Sequence, residues 1–175
     1  LHGIPGLGYL LEEDERPGRF NRDRAIELGV PPGPLFGRLQ RGETVRIVRG
    51  GVETEVSPAE VLGEPRPGRK VVYTGDTRPL HESLDTAAML RDADLLIHDA
   101  TFDDQERERA REVLHSTAGE AGEAADALGA HMLALVHISS RYTTTTNHIR
   151  DARRQYKGNV FLPADLTVLE IPYRS

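Results

Sequence analysis

The stretch Lys70-Val71-Val72-Tyr73-Thr74-Gly75-Asp76-Thr77-Arg78-Pro79 decides how the rest of the chain is read. Val71, Val72 and Tyr73 are consecutive β-branched and aromatic residues, the mark of a short buried strand. Gly75 ends that strand with a backbone free to turn, which presents Asp76 at the carboxyl end. In α/β folds that edge is where ligands gather. A carboxylate there can cap a turn through Thr77, accept a hydrogen bond or bind a metal ion. Asp is enriched in turns, so the ordinary reading of Asp76 alone is a turn residue. The residues that follow argue for more.

Downstream the pattern repeats. Leu84, Ala87, Ala88 and Leu90 give Glu82–Arg91 a helical period, and Leu95-Leu96-Ile97 then reads as a strand ending at His98-Asp99-Ala100-Thr101. A charged amphipathic helix is predicted from about Asp103 to Leu114. His115-Ser116-Thr117 precedes a second helix, Ala118–Leu128, with Ser116 or Thr117 as N-cap and Glu120 placed to complete a capping box with Thr117. Met132–Val136 is a further buried strand, ending at His137-Ile138-Ser139-Ser140-Arg141-Tyr142. A helix near Asn147–Tyr156 and strands at Val160–Leu162 and Leu166–Ile171 close the chain. This alternation predicts an α/β layered sheet without internal repeats.

Three buried strands therefore end in Asp76, in His98-Asp99 and in His137, and consecutive parallel strands put such ends along one rim. A single His at a strand end is more often a hydrogen-bonded structural residue than a ligand. The repeated placement favours a site. His and Asp without Cys suit Zn²⁺ or Mn²⁺ in an open, catalytic arrangement. His115 lies just ahead of a helix N-terminus, whose dipole favours the neutral ring, so it is either a proton donor working near neutrality or a simple neighbour of the cap.

Upstream, Pro5 and Gly6 turn the chain and Tyr9-Leu10-Leu11 can join a sheet, while His2 is isolated and, on its residues alone, solvated. Residues 15–67 differ in texture. Arg22–Leu28 is a short helical candidate ended by Gly29. Three prolines and two glycines in Val30–Gly37 argue against a helix or a central strand there. Over residues 15–49, eight arginines face four acids, a local excess of +4. That fits either a solvated loop or an arm that contacts phosphate. Gly50-Gly51 between Arg46–Val48 and Val52–Val56 signals a hairpin.

The 175 residues suffice for one domain, and a net charge of −6 speaks against a uniformly basic nucleic-acid binder. Without Cys there is no disulfide scaffold and no thiolate metal site. No apolar run approaches the roughly 18 residues of a membrane span, so a cytoplasmic protein with no membrane partner is expected. An opening at Leu1 rather than Met suggests that an N-terminal part is missing.

Taken in order, His2-Gly3-Ile4-Pro5, Pro31-Pro32-Gly33-Pro34-Leu35-Phe36, Thr74-Gly75-Asp76-Thr77-Arg78, His98-Asp99-Ala100-Thr101-Phe102, His115-Ser116-Thr117 and His137-Ile138-Ser139-Ser140-Arg141-Tyr142 resemble the C-terminal part of RNase Z. That family of tRNA 3′-processing endoribonucleases has the metallo-β-lactamase αββα sandwich. The resemblance implies metal ligands at His2, Asp76 and His137, with Asp76 bridging two Zn²⁺ ions, and so reassigns His2 from its solvated reading. It implies that His115 protonates the departing ribose 3′ oxygen and that Asp99 orients it. The family usually has Glu there, so the contact is either looser or the backbone closer. It also implies substrate-binding roles for Pro32, Gly33 and Pro34 in an inserted exosite arm spanning 15–67, and for Ser139 and Arg141 at the scissile phosphate. Precursor tRNA is the implied substrate and a homodimer the implied assembly.

The family's His-x-His-x-Asp-His motif is absent from the 175 residues. Residues 1–175 then form the C-terminal part of a domain that lacks the N-terminal half of its sandwich, and are expected to be inactive alone. Two other readings stay open: another phosphodiesterase of the same fold, and a non-catalytic tRNA-binding or dimerisation fragment.

Overall fold

The structure is a computed structural model that describes residues 6–79 and 88–174. In chain order its elements are β1 (Tyr9–Glu12), α1 (Arg22–Glu27), α2 (Pro34–Gln40), β2 (Val45–Arg49), β3 (Val52–Val56), β4 (Lys70–Tyr73), β5 (Leu95–Asp99), α3 (Arg107–Glu112), α4 (Ala118–Leu128), β6 (Met132–Val136), α5 (Thr146–Gln155) and β7 (Asn159–Phe161). They fall into two compact units, one of Leu1–Glu12 with Arg69–Ser175 and one of Glu13–Gly68.

The first unit is built on a five-stranded sheet in the order β1-β4-β5-β6-β7. Strands β4 to β7 run parallel and β1 pairs antiparallel with β4. The apolar runs at 71–73, 95–97 and 132–136 thus lie side by side; the last two are covered on both faces, as their lack of alternation predicts, whereas Tyr73 of β4 is 37% exposed. Val72, Leu96, Leu133, Leu135 and Val160 project to one face and pack with Ala121, Ala125 and Leu128 of α4 and Ala152 of α5. Truncating a side chain as buried as Leu96 or Leu133 costs about 2–5 kcal/mol. On the opposite face, Leu95, Met132 and Ala134 are buried with Leu169 and Ile171 packed against them, while Tyr9 and Leu11 of β1 stay 56% and 59% exposed.

Helix α4 starts as its sequence predicts. The Thr117 side chain accepts from the Glu120 backbone N–H and the Glu120 carboxylate accepts from that of Thr117, a pairing that contributes about 1 kcal/mol. Its face is small, Ala-Gly-Glu-Ala-Gly, because α5 crosses closely: a Cβ on Gly122 would lie 2.6 Å from the Ala152 carbonyl oxygen. Two expectations about this unit need correction. The helix of 103–114 is a 3-10 turn, Asp104–Glu106, followed by only Arg107–Glu112. Leu166–Ile171 joins no strand; it runs past the sheet, and Leu169 and Ile171 make its alternating apolar pattern a packing strip. The helix expected at Glu82–Arg91 lies largely outside the described residues, as does His2.

The second unit has its own core: Ala25, Val30, Leu39, Val45, Ile47, Val56 and Val61 are buried, with Phe20 and Phe36 rings 4.9 Å apart beside them. Two antiparallel bridges, Arg16 with Arg66 and Phe20 with Leu62, tie its ends together. The β2–β3 hairpin turns at Gly50 and Gly51 with φ of 60° and 83°, as a primed turn requires. The segment Val30–Gly37 contradicts its reading, because Pro34 opens α2. At the first helical position the missing N–H is one that the helix leaves unbonded anyway, and the fixed φ suits the helix.

Candidate active site

The rim where β4, β5 and β6 end gathers the polar residues. Gly75 holds φ at 64°, and a Cβ there would stand 2.8 Å from the Leu7 carbonyl oxygen, so the turn that releases Asp76 requires glycine. Asp99 is the last residue of β5 and fully buried. His137 follows β6 directly in the left-handed region, φ 63°, a conformation that costs a non-glycine residue about 1–2 kcal/mol and turns its ring onto the rim. The loops are stitched together by backbone bonds. Ala100 N–H donates to Val136 C=O, Ser139 N–H to Thr101 C=O, and Ala118 N–H to Phe102 C=O.

Four donors converge on the Asp99 carboxylate. Oδ1 accepts from the Thr101 backbone N–H at 2.8 Å and from the Thr101 hydroxyl at 2.6 Å. Oδ2 accepts from the Thr77 N–H at 3.0 Å and from His115 Nδ1 at 2.7 Å. The two oxygens offer about four lone-pair positions, and each has a donor. At 2.7 Å the contact of this short carboxylate with His115 is not a loose one. The Thr101 hydroxyl also lies 2.8 Å from His137 Nδ1 and 3.1 Å from His115 Nδ1, and the two imidazoles stack with centroids 5.0 Å apart. Ser116 Oγ donates to the Thr77 carbonyl at 2.7 Å, tying the His115 loop to the turn after Asp76.

The outer side of the site is open. His137 Nε2 and Asp76 Oδ2 are 3.5 Å apart, and both side chains are nearly half exposed. Two ligands of a tetrahedral zinc ion, each about 2.0–2.1 Å from it, are about 3.3 Å apart, so this pair fits a shared metal. Asp99, His115 and His137 also form a cluster of metal-ligand type within 4.8 Å. The buried side of that cluster does not fit an ion as well, because Asp99 is already filled by its four donors.

The structure thus brings Asp76, Asp99, His115 and His137 together. Ser139 is fixed on the same rim. Arg141 pairs with Glu106 at 2.8 Å and stands 5.4 Å over the Phe102 ring, half exposed. His98 is buried, with Nδ1 2.7 Å from the Asp99 carbonyl oxygen, and is a structural residue here. Pro32, Gly33 and Pro34 belong to the second unit, where they are exposed at the start of α2. Of the arginines counted there, Arg24, Arg38, Arg41 and Arg46 each pair with a neighbouring glutamate of the same unit. Sequence reasoning missed Thr101 as a hub; the Asp-x-Thr spacing, which favours a side chain accepting from the N–H two residues on, is the signal that points to it.

A family model described as a beta-lactamase superfamily domain matches residues 42–138. The chain belongs to this superfamily. Over 174 residues it is 52% identical to a ribonuclease Z of Halorubrum lacusprofundi, covering 99% of this chain and 54% of that protein. A ribonuclease Z of Methanosarcina acetivorans is likewise 52% identical over 173 residues, 99% of this chain and 54% of the relative. The chain spans about half the length of the curated relatives it matches. Among solved structures, the metallo-beta-lactamase fold protein YhfI of Bacillus subtilis aligns with a TM-score of 0.52 at 22% identity, over 73% of this chain and 48% of that one. These findings bear out the α/β metallo-β-lactamase fold and the likeness to RNase Z that the motifs implied.

Proposed function

We propose that this chain is part of a zinc-dependent endoribonuclease that removes the 3′ trailer from precursor tRNA. The observation that carries the reading is the convergence of His137 and Asp76 on one open edge with a buried Asp99–His115 pair beside it. Likeness to ribonuclease Z along 99% of the chain supports it.

His137 Nε2 and Asp76 Oδ2 would hold the metal, with His2 as a further ligand. A metal bound there supplies Lewis-acid activation of water and neutralises charge on the phosphate. Two ions, bridged by Asp76, are the arrangement the family resemblance implies, with Mn²⁺ as a substitute for Zn²⁺. In the reaction, water adds to phosphorus and the bond from phosphorus to the ribose 3′ oxygen breaks. Asp99 accepts the Nδ1 hydrogen of His115, and in its doubly protonated form His115 carries a second proton on Nε2, which it gives to the leaving 3′ oxygen; the proton that the attacking water sheds replaces it. The products are a tRNA 3′-hydroxyl and a trailer with a 5′ phosphate. Ser139 and Arg141 steady the scissile phosphate, with Arg141 exchanging Glu106 for a phosphate oxygen.

The 15–67 segment is the exosite arm, with Pro32, Gly33 and Pro34 at its contact point. Recognition rests on tRNA shape and backbone rather than sequence. A homodimer in the cytoplasm is the assembly in which we place it. Zinc wants about four ligands per ion, and His2, Asp76 and His137 fall short of two ions' needs, so these residues alone are inactive. The test is incubation of the full-length protein with a precursor tRNA and mapping of both new ends. A 3′-hydroxyl at the discriminator nucleotide supports the reading; no cleavage, or a 3′ phosphate, overturns it.

A further inference from the structure

We propose that Thr101 is a positioning residue that fixes the tautomer of His137, and so determines which of its nitrogens is available to a metal. The inference rests on the reading of His137 as a ligand given above. Its ground is a proton count at one hydroxyl. Thr101 Oγ1 has three polar neighbours besides its own backbone: Asp99 Oδ1 at 2.6 Å, His137 Nδ1 at 2.8 Å and His115 Nδ1 at 3.1 Å. The hydroxyl has one hydrogen and two lone pairs. An ionised carboxylate only accepts, so that hydrogen goes to Asp99. A protonated Asp99 would instead give up one of the four acceptor positions that its surroundings fill.

With its hydrogen committed, Oγ1 can only accept from the two rings. His137 must then carry its proton on Nδ1, and its lone pair falls on Nε2, the atom that stands 3.5 Å from Asp76 Oδ2. The same rule fixes His115, whose Nδ1 hydrogen is directed at Asp99 Oδ2. The Thr101 hydroxyl thus turns His137 outward through Nε2, as Asp99 does His115, while the Thr101 backbone N–H donates to Asp99 Oδ1 and its C=O accepts from Ser139 N–H. Thr101 is itself buried, so its hydroxyl is held among these protein partners. A ring nitrogen that donates to a fixed acceptor is the usual way in which a surrounding residue tunes a histidine ligand, and losing the acceptor typically weakens metal binding about 10–100-fold.

The test uses full-length protein as wild type, Thr101→Val and Thr101→Ser. Valine keeps the shape and removes the hydroxyl; serine keeps the hydroxyl and removes the methyl. In metal-stripped wild type, ¹⁵N ring shifts should report the Nδ1–H tautomer of His137. That state should persist in Thr101→Ser and give way to the other tautomer or a mixture in Thr101→Val. Zinc affinity, read by chelator competition, should fall about 10–100-fold in Thr101→Val and recover in Thr101→Ser. A wild-type His137 protonated on Nε2 overturns the proposal without any variant. Equal tautomers or equal zinc affinity in wild type and Thr101→Val also overturns it. Should the Nδ1–H tautomer be found in a wild type that binds no divalent metal, the tautomer assignment stands and the metal reading fails.

Discussion

Replacing Asp99 with asparagine strikes the group on which the site converges, and its cost can be worked out from the four contacts. The carboxylate accepts from two backbone N–H groups, one hydroxyl and one imidazole, all at 2.6–3.0 Å. Asparagine offers one oxygen and one NH₂, so however the amide is turned, two donors meet a donor. Turned toward Thr101, the hydroxyl rotates and accepts, which recovers one contact; the Thr101 N–H is left without an acceptor. Each hydrogen bond to a charged acceptor contributes about 1.5–3 kcal/mol. One bond lost outright and the others weakened by the missing charge give about 2–4 kcal/mol, a large share of the roughly 5–15 kcal/mol that holds a typical domain. Urea denaturation of the full-length protein should show a lower midpoint at unchanged slope. A loss below about 0.5 kcal/mol, the range of an ordinary surface substitution, would refute the four-donor account.

Other perturbations separate the parts of the account. Gly122→Ala forces a methyl to within 2.6 Å of the Ala152 carbonyl oxygen and should cost about 1–3 kcal/mol in thermal or urea unfolding, with the site's chemistry untouched. Burial holds the His148 imidazole below its usual value of 6.5, against the pull of Asp103, the Thr101 backbone, Asp151 and Asp104. The unfolded chain therefore takes up a proton near that value before the folded one does, so this contribution is complete above about pH 6.5 and declines as pH falls. His148→Leu should flatten the decline in urea midpoint between about pH 7.5 and about pH 5.5; an unchanged slope contradicts the assignment. Glu12 and Lys70 are cross-strand partners, so a short Gly/Ser linker can replace Glu13–Gly68. Its removal should abolish precursor-tRNA cleavage and spare hydrolysis of a small phosphodiester; if both survive, the chain belongs to a different phosphodiesterase.

The sheet was legible because its strands announce themselves locally. Short apolar runs at Val71–Tyr73, Leu95–Ile97 and Met132–Val136 end in polar residues, and Thr117 with Glu120 marks the start of α4 to the residue. What failed was context. Pro34 looks like a helix breaker until it is seen to occupy the first helical position, where proline is favoured. Leu166–Ile171 alternates like a strand, yet only Leu169 and Ile171 find an apolar face, and no neighbour offers it a ladder. In the site, Asp76, Asp99, His115 and His137 could be named from their places at strand and helix ends. For Thr101 only the contact with Asp99 was legible, in the Asp-x-Thr spacing; its contacts with His115 and His137 arise when two further loops close around the hydroxyl. The arginine excess of 15–49 read either as a solvated loop or as an arm that contacts phosphate, and composition could not show that four of those side chains pair with glutamates of their own unit.

The most direct measurement is cleavage of a precursor tRNA by His115→Ala alongside its metal content. On the proposed reading Asp99 orients His115 as the proton donor, whereas His137 and Asp76 hold the metal. The account predicts metal content equal to that of the wild type and a rate lower by about 10²–10⁴-fold. Cleavage at the wild-type rate, or loss of the metal together with the activity, would contradict it.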